Sequence, residues 1–398
     1  MAHPLRGATA ITGLGMTPMG RIYGKTAMDF AVEAVRDAIA DAGLQRADVD
    51  GLLVNAGITN NQPGGVSLRL QNALGLHNLR LLNHMNAAGS TAAQMVQYAA
   101  LAINAGMANH VVCVFADAPL TEGRSASAAY GGGARPSRPR GFAGLIVAAG
   151  MFGANTMYAL AARRHMALYG TTQDQFGAIA VAERAWATMN PLAQQREPMT
   201  LEDYHNSRWI VEPFHLYDCC LVSNGAIAVV VSSADAAKDM PQPPVYILGM
   251  GQGHPGDSNR AGDDWETETG ARIAARTVYG MAGVGPSDID ICELYDCYTY
   301  TVLVTLEDYG FCAKGEGGPF VESGAIGPGG PLPTNTGGGE LSAYYMWGMT
   351  PISEAVIQTR GHGGERQVQD RDFVLVTGNG GVLNYHAALI LSPHRNSS

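Results

Sequence analysis

The feature that most constrains this chain is an internal repeat. Ala42-Gly43-Leu44-Gln45-Arg46-Ala47-Asp48-Val49-Asp50 aligns without a gap to Ala282-Gly283-Val284-Gly285-Pro286-Ser287-Asp288-Ile289-Asp290, an offset of 240 positions from Asp48 to Asp288. Each copy follows an amphipathic stretch, Ala27 to Asp41 or Thr269 to Met281. In the first, Ala31, Val35, Ile39 and Ala42 recur at helical spacing. The glycine after each helix is a C-cap signal, and Asp48 and Asp288 read as cap or turn residues. Each copy then enters an apolar strand, Gly51-Leu52-Leu53-Val54 or Ile291-Cys292-Glu293-Leu294. A second strand follows in each half, His110 to Phe115 and Phe373 to Thr377, preceded by helices over Ser90 to Ala105 and Tyr345 to Arg360. Helix alternating with buried strand predicts an α/β chain of two duplicated halves, each with a mostly parallel sheet.

A length of 398 residues fits two such units. We place them at residues 1–238 and 243–398, separated by Asp239-Met240-Pro241-Gln242-Pro243-Pro244. The first half carries an extra loop insertion over about 116–210. Within it, Leu120 to Met151 is rich in Gly, Ser, Ala, Pro and Arg, and reads equally as a lid or as a solvated surface insertion. Arg135, Arg138 and Arg140 there suit either the phosphates of a nucleotide tail or plain surface.

A net charge of −10 argues against a nucleic-acid partner. No apolar run is long enough to span a bilayer, and Met1 to Thr9 lacks the apolar core of a signal peptide, so a cytoplasmic location is expected. The six cysteines (Cys113, Cys219, Cys220, Cys292, Cys297, Cys312) lack paired zinc-site spacing and read as reduced packing residues. No metal site is expected in this chain.

Several ordered motifs carry a resemblance that covers almost the whole chain. They are Val211-Glu212-Pro213-Phe214-His215-Leu216-Tyr217-Asp218, Ser223-Asn224-Gly225-Ala226, Glu293-Leu294-Tyr295-Asp296-Cys297-Tyr298, Asn335-Thr336-Gly337-Gly338-Gly339, and Gly378-Asn379-Gly380-Gly381. Together they resemble the thiolase superfamily, specifically the sterol-carrier-protein type. The departures are chemical. The family's nucleophilic Cys falls at Gly89, within one residue, with Ser90 as the nearest weak substitute. Its second Cys, near Thr377 or Gly378, is also missing. Its catalytic His falls on Tyr345, with Tyr344 as the alternative in register, and the Asn or His of another loop falls on Tyr295.

Thiolysis needs a thiolate and an activating base. Retro-aldol cleavage needs only proton transfer from a β-hydroxyl, an oxyanion site and reprotonation of carbon. Phenols could do this if their pKa falls from about 10 toward neutrality. This set of residues resembles the lipid-transfer-protein type of thiolase-like aldolase from bacterial steroid side-chain degradation. The resemblance implies Tyr295 and Tyr345 as the catalytic pair. It implies an acyl-CoA substrate with no cofactor in this chain, a homodimer, and a separate small zinc-ribbon/OB-fold partner that holds the zinc. Gly89, Ser90, Asn335, Gly338, Gly339, Gly380 and His386 are the candidate substrate and oxyanion-loop residues. Asp296 reads as a cap on the following helix or as a group polarising a tyrosine. His215 reads as structural or substrate-facing. His386 could orient a catalytic phenol, and Gly253-His254-Pro255 reads as a decoy of the missing family tripeptide. Two other functions stay open: a non-catalytic acyl-CoA-binding scaffold, and a degenerate thiolase or acyltransferase acting through Ser90.

Overall fold

A computed structural model describes residues 3–57, 65–126, 129, 144–151, 153–256 and 267–396. Arg135, Arg138, Arg140 and Trp265 lie outside the described residues. Among the described residues there are eleven strands: β1 (Thr9–Met16), β2 (Gly51–Ala56), β3 (Leu81–His84), β4 (His110–Asp117), β5 (Trp209–Val211), β6 (Phe214–His215), β7 (Gly225–Ser233), β8 (Val245–Gly253), β9 (Ile291–Glu293), β10 (Val374–Gly380) and β11 (Tyr385–Ser392). Nine of them form one sheet in the order β3-β2-β4-β7-β1-β8-β11-β10-β9. In the first half, β2 pairs parallel with β3 and β4, and only β7 runs against its fellows. In the second, β9 and β10 are parallel and β11 is the reversed strand. An antiparallel β1–β8 contact joins the halves.

The duplication is physical. Asp48 caps its turn by accepting from the Gln45 N–H at 2.7 Å, and Asp288 does the same for the Gly285 N–H at 2.7 Å. Asp50 accepts from the His110 N–H at 3.0 Å and Asp290 from the Phe373 N–H at 2.9 Å, so each repeat ties its strand to the start of the next. The helices Ala27–Asp41 and Ala271–Ala282 lie close on β1 and β8. A Cβ at Gly13 or Gly15 would stand 2.2 or 2.1 Å from carbonyls of the first helix, and one at Gly249 or Gly251 2.5 or 2.4 Å from carbonyls of the second. Only glycine permits that approach.

The strands alternate as sheet geometry requires. Val112, Val114, Ala226, Ala228 and Val230 face the helix Ala27–Asp41, while Cys113, Phe115, Ile227, Val229 and Val231 face a larger core shared by both halves. The helices Thr91–Asn104 and Met349–Arg360 pack on each other inside that core. The insertion differs from expectation. Beyond residue 152 it is built mainly on helices, Gly153–Tyr169, Gln173–Thr188 and Leu201–Asn206. The second of these starts on a reciprocal cap between Thr172 and Gln175.

Candidate active site

Four loops converge where the central helices begin. Ala87–Ser90 leads into Thr91–Asn104, and Tyr344–Gly348 into Met349–Arg360. The two turns are built alike. Ala88 and Trp347 both take positive φ, 50° and 49°. The Ala87 N–H donates to Thr91 Oγ1 at 2.7 Å, and the Met346 N–H to Thr350 Oγ1 at 2.9 Å. The turns also touch, for a Cβ at Gly348 would stand 2.2 Å from the Gly89 carbonyl oxygen. The other two loops follow β9 and end β10. Gly378 and Gly380 let β10 approach, since a Cβ at Gly380 would meet the Ala87 carbonyl at 2.5 Å.

Tyr295 and Tyr345 meet here, hydroxyl to hydroxyl, at 3.1 Å. Tyr295 leaves β9 with its N–H donating to Thr377 Oγ1 at 3.3 Å. The Tyr345 N–H donates to Ser223 Oγ at 3.0 Å. Tyr344 points the other way, buried, its hydroxyl 3.2 Å from Ser353 Oγ. The alternative in register is therefore turned away from Tyr295. The reason is local: the chain is extended at Tyr344, φ −161° and ψ 153°, as it leaves the π-helical turn Gly339–Ala343, so successive side chains point to opposite sides.

Gly89 is empty for a physical reason. A Cβ there would stand 2.2 Å from Cζ of Tyr295 and 2.4 Å from the Asn379 carbonyl oxygen. A cysteine at this position and the Tyr295 ring in this orientation exclude each other. Ser90 is no replacement: its buried hydroxyl donates to the Ala87 carbonyl at 2.9 Å and accepts from Gln94 Nε2 at 2.9 Å, so neither contact is to a histidine. Cys297 lies nearby, but burial pushes its thiol well above the ordinary range, so it stays protonated.

Burial, and secondarily Tyr345, pushes Tyr295 well above the usual phenol value. That reverses the expectation of a lowered pKa: Tyr295 rests as a neutral phenol. Asp296 also corrects the sequence reading. It caps not the helix Thr299–Asp308 but the facing π turn, accepting from the N–H groups of Glu340 at 2.7 Å and Leu341 at 3.0 Å. It thereby ties the Tyr295 loop to the loop that carries Tyr345.

Asn335 spends both ends of its side chain on structure. Oδ1 accepts from the Leu294 N–H at 2.6 Å, and Nδ2 donates to Glu183 Oε1 at 2.8 Å. Gly338 and Gly339 take positive φ of 94° and 59° against the helix Gln173–Thr188 and Asp296, so they shape the loop. Burial holds Glu183 and Glu340 well above the usual carboxylic range, and Asp296 is pushed up to about 6 for the same first cause.

His386 is the clearest misplacement. It bonds Tyr309, Nε2 to hydroxyl at 3.0 Å, rather than a catalytic phenol, and burial lowers its pKa to about 3. His215 is structural, stacked on Trp209 at 3.7 Å and bonded through Nδ1 to the Ser207 carbonyl at 2.9 Å. His254 bonds Gln252 at 2.9 Å on an exposed edge. Sequence reasoning missed Glu183, Glu340, Tyr158 and Asn379. Tyr158, from the helix Gly153–Tyr169, donates to Asn379 Oδ1 at 3.1 Å. Among the described residues no group of three or more His, Cys, Asp or Glu could hold a metal ion, and no helix is long and apolar enough to cross a membrane.

Comparison with known proteins identifies the family. Residues 251–393 match the family described as thiolase C-terminal domain-like. The chain is 39% identical over 386 residues, 95% of its length and 96% of the relative's, to the steroid side-chain-cleaving aldolase of Thermomonospora curvata. It is 36% identical over 395 residues, 95% of its length and 98% of the relative's, to the 17-hydroxy-3-oxo-4-pregnene-20-carboxyl-CoA lyase of Mycobacterium tuberculosis. A solved structure described as the Ltp2-ChsH2(DUF35) aldolase superposes with a TM-score of 0.85 at 37% identity, covering 98% of each chain. The chain belongs to the thiolase superfamily, as a carbon–carbon lyase of the thiolase-like aldolase type.

Proposed function

We propose that this protein cleaves a bulky β-hydroxy acyl-CoA of the steroid side-chain type by a retro-aldol reaction, with Tyr295 and Tyr345 as its proton relay. The single observation that carries the reading is the 3.1 Å contact between two phenols where the nucleophile and histidine of a thiolase are both missing. Retro-aldol cleavage moves one proton from the β-oxygen to the α-carbon. A pair of bonded neutral hydroxyls can carry it by handing hydrogen along, with neither phenol stably ionised. This is compatible with the raised pKa of Tyr295. The β-oxygen becomes a ketone as the Cα–Cβ bond breaks. Its electrons pass to the thioester as an enolate, which the relay reprotonates at carbon.

A compound built like the substrate named for the mycobacterial relative would break between C17 and C20. The products would be a C17 ketone and propionyl-CoA. The reading extends to assembly: a small DUF35-type partner holding the zinc, akin to the ChsH2(DUF35) component of the aldolase that superposes on this chain, and a homodimer formed through β3, the terminal strand of the sheet. Co-purification and sedimentation test these two points.

The decisive assay for the activity is 17-hydroxy-3-oxo-4-pregnene-20-carboxyl-CoA with no free CoA added. A retro-aldolase releases ketone and propionyl-CoA under these conditions. Cleavage of a β-ketoacyl-CoA that requires free CoA, or an acyl group on Ser90 by mass spectrometry, would instead mark a thiolase-type acyl transfer. Binding of the thioester without cleavage, with partner present, would mark a scaffold subunit.

A further inference from the structure

Asn379 has a side chain with one end in use and one end idle. It is 1% exposed. Its backbone belongs to the β10–β11 ladder, opposite His386. Its Oδ1 accepts from the Tyr158 hydroxyl at 3.1 Å, which fixes the plane of the amide. Its Nδ2 is buried and meets no acceptor among the described residues. A buried amide donor left unmet costs roughly 1–3 kcal/mol, so such groups are uncommon and call for a reason.

The location supplies one. The Asn379 carbonyl oxygen and Cζ of Tyr295 both lie within 2.4 Å of the point where a Cβ of residue 89 would stand. The backbone of Asn379 thus borders the ring of Tyr295 across the space left at Gly89. Tyr158, which holds it, is also among the groups that raise the pKa of Tyr295. The side-chain amide of Asn335, by contrast, has both ends engaged, on Leu294 and Glu183.

We propose that the Asn379 side-chain N–H is the donor that receives the thioester oxygen of the substrate as it becomes an enolate, with Tyr158 as the positioning residue. This rests on the retro-aldol reading and adds the group that takes up the developing charge. As the Cα–Cβ bond breaks, its electron pair moves through the thioester carbonyl onto oxygen, and Nδ2–H donates to that oxygen. The proton lost from the β-hydroxyl returns to the α-carbon through the phenols, so no oxidant or further reactant is needed. A donor fixed in advance and shielded from water is worth about 10²–10³-fold in rate.

The test uses the full-length protein and two assays. One is ketone release from 17-hydroxy-3-oxo-4-pregnene-20-carboxyl-CoA. The other is exchange of the α-hydrogens of propionyl-CoA in D2O, which needs the enolate but no carbon–carbon cleavage. Asn379→Asp keeps the acceptor for Tyr158 and removes the donor. It is expected to lower kcat and the exchange rate together by about 10²-fold, with KM within about threefold. Tyr158→Phe is expected to lower kcat by about tenfold with KM unchanged, because the amide is freed but not lost. If Asn379→Asp does not fold, Asn379→Ala is read in the same two assays. Cleavage and exchange within threefold of wild type in the Asn379 variant would show that the amide takes no part in stabilising the enolate, and would overturn the inference while leaving the retro-aldol reading intact. A wild-type protein that releases no ketone would instead end the parent reading.

Discussion

The turns Ala87–Thr91 and Met346–Thr350 are copies of one device with different contents. Each has a positive-φ residue, a glycine, and a threonine hydroxyl that accepts from the N–H four residues earlier. The first presents nothing: Gly89 has no side chain, and Tyr295 from the other half fills the space. The second also has a glycine at that place, Gly348, but it is entered through Tyr345 where the first is entered through Asn86. The difference separates scaffold from chemistry. The backbone device positions two central helices and is repeated because packing requires it. The side chains on it are free to change, provided that a change at one turn is matched on the loop it faces.

Variants at the two turns should break this comparison unequally. Removing a hydroxyl alone has the largest expected effect on rate: Tyr295→Phe and Tyr345→Phe should each lower kcat by about 10³-fold, with CoA-thioester binding retained, as measured by steady-state kinetics and titration calorimetry. Gly89→Cys restores the residue type of a thiolase but drives its Cβ into the Tyr295 ring, so kcat should fall by about 10²-fold without any gain of thiolysis in the presence of free CoA. The matching change at the other turn, Gly348→Ala, meets backbone rather than a side chain. It should act on folding, costing about 3 kcal/mol in denaturant unfolding.

Away from both turns, His386 sets a pH dependence. Its folded pKa of about 3 lies below the ordinary 6.5, so the unfolded chain binds the proton first on acidification. The stability it contributes is complete above 6.5 and is lost as pH falls toward 3. His386→Gln, which keeps an acceptor for Tyr309, should flatten melting temperature against pH across that window. The smallest effect is expected for Ser90→Ala: activity within about threefold of wild type, and a loss of about 1 kcal/mol from its two hydrogen bonds.

What could be read in advance divides along the same line. The helix Ala27–Asp41 and the strand starting at His110 were legible because periodicity and caps are local signals. The meeting of Tyr295 and Tyr345 was legible through ordered motifs, although the residues are far apart in sequence. The reversed strands β7 and β11 were not, because a buried run such as Gly225–Ser233 looks the same whichever way it points. Tyr345 was chosen over Tyr344 by motif register alone, because neighbouring residues of an extended segment face opposite sides and nothing local in the sequence says which side faces the cleft. The helix Gln173–Thr188, source of Glu183, did announce itself through Thr172 and Gln175, a signal hidden by its place in a stretch read as loop. Asn379 sat in Gly378-Asn379-Gly380-Gly381, a motif read through its glycines rather than its amide. The burial that raises Tyr295 is a property of the assembled core and of no single segment.

The central claim is that the two phenols act as one relay, and a double-mutant cycle on kcat tests it most directly. If they are one unit, the Tyr295→Phe/Tyr345→Phe double variant should be about as slow as the slower single variant, because breaking the relay once already stops it. Losses that simply multiply would show two independent groups and contradict the account.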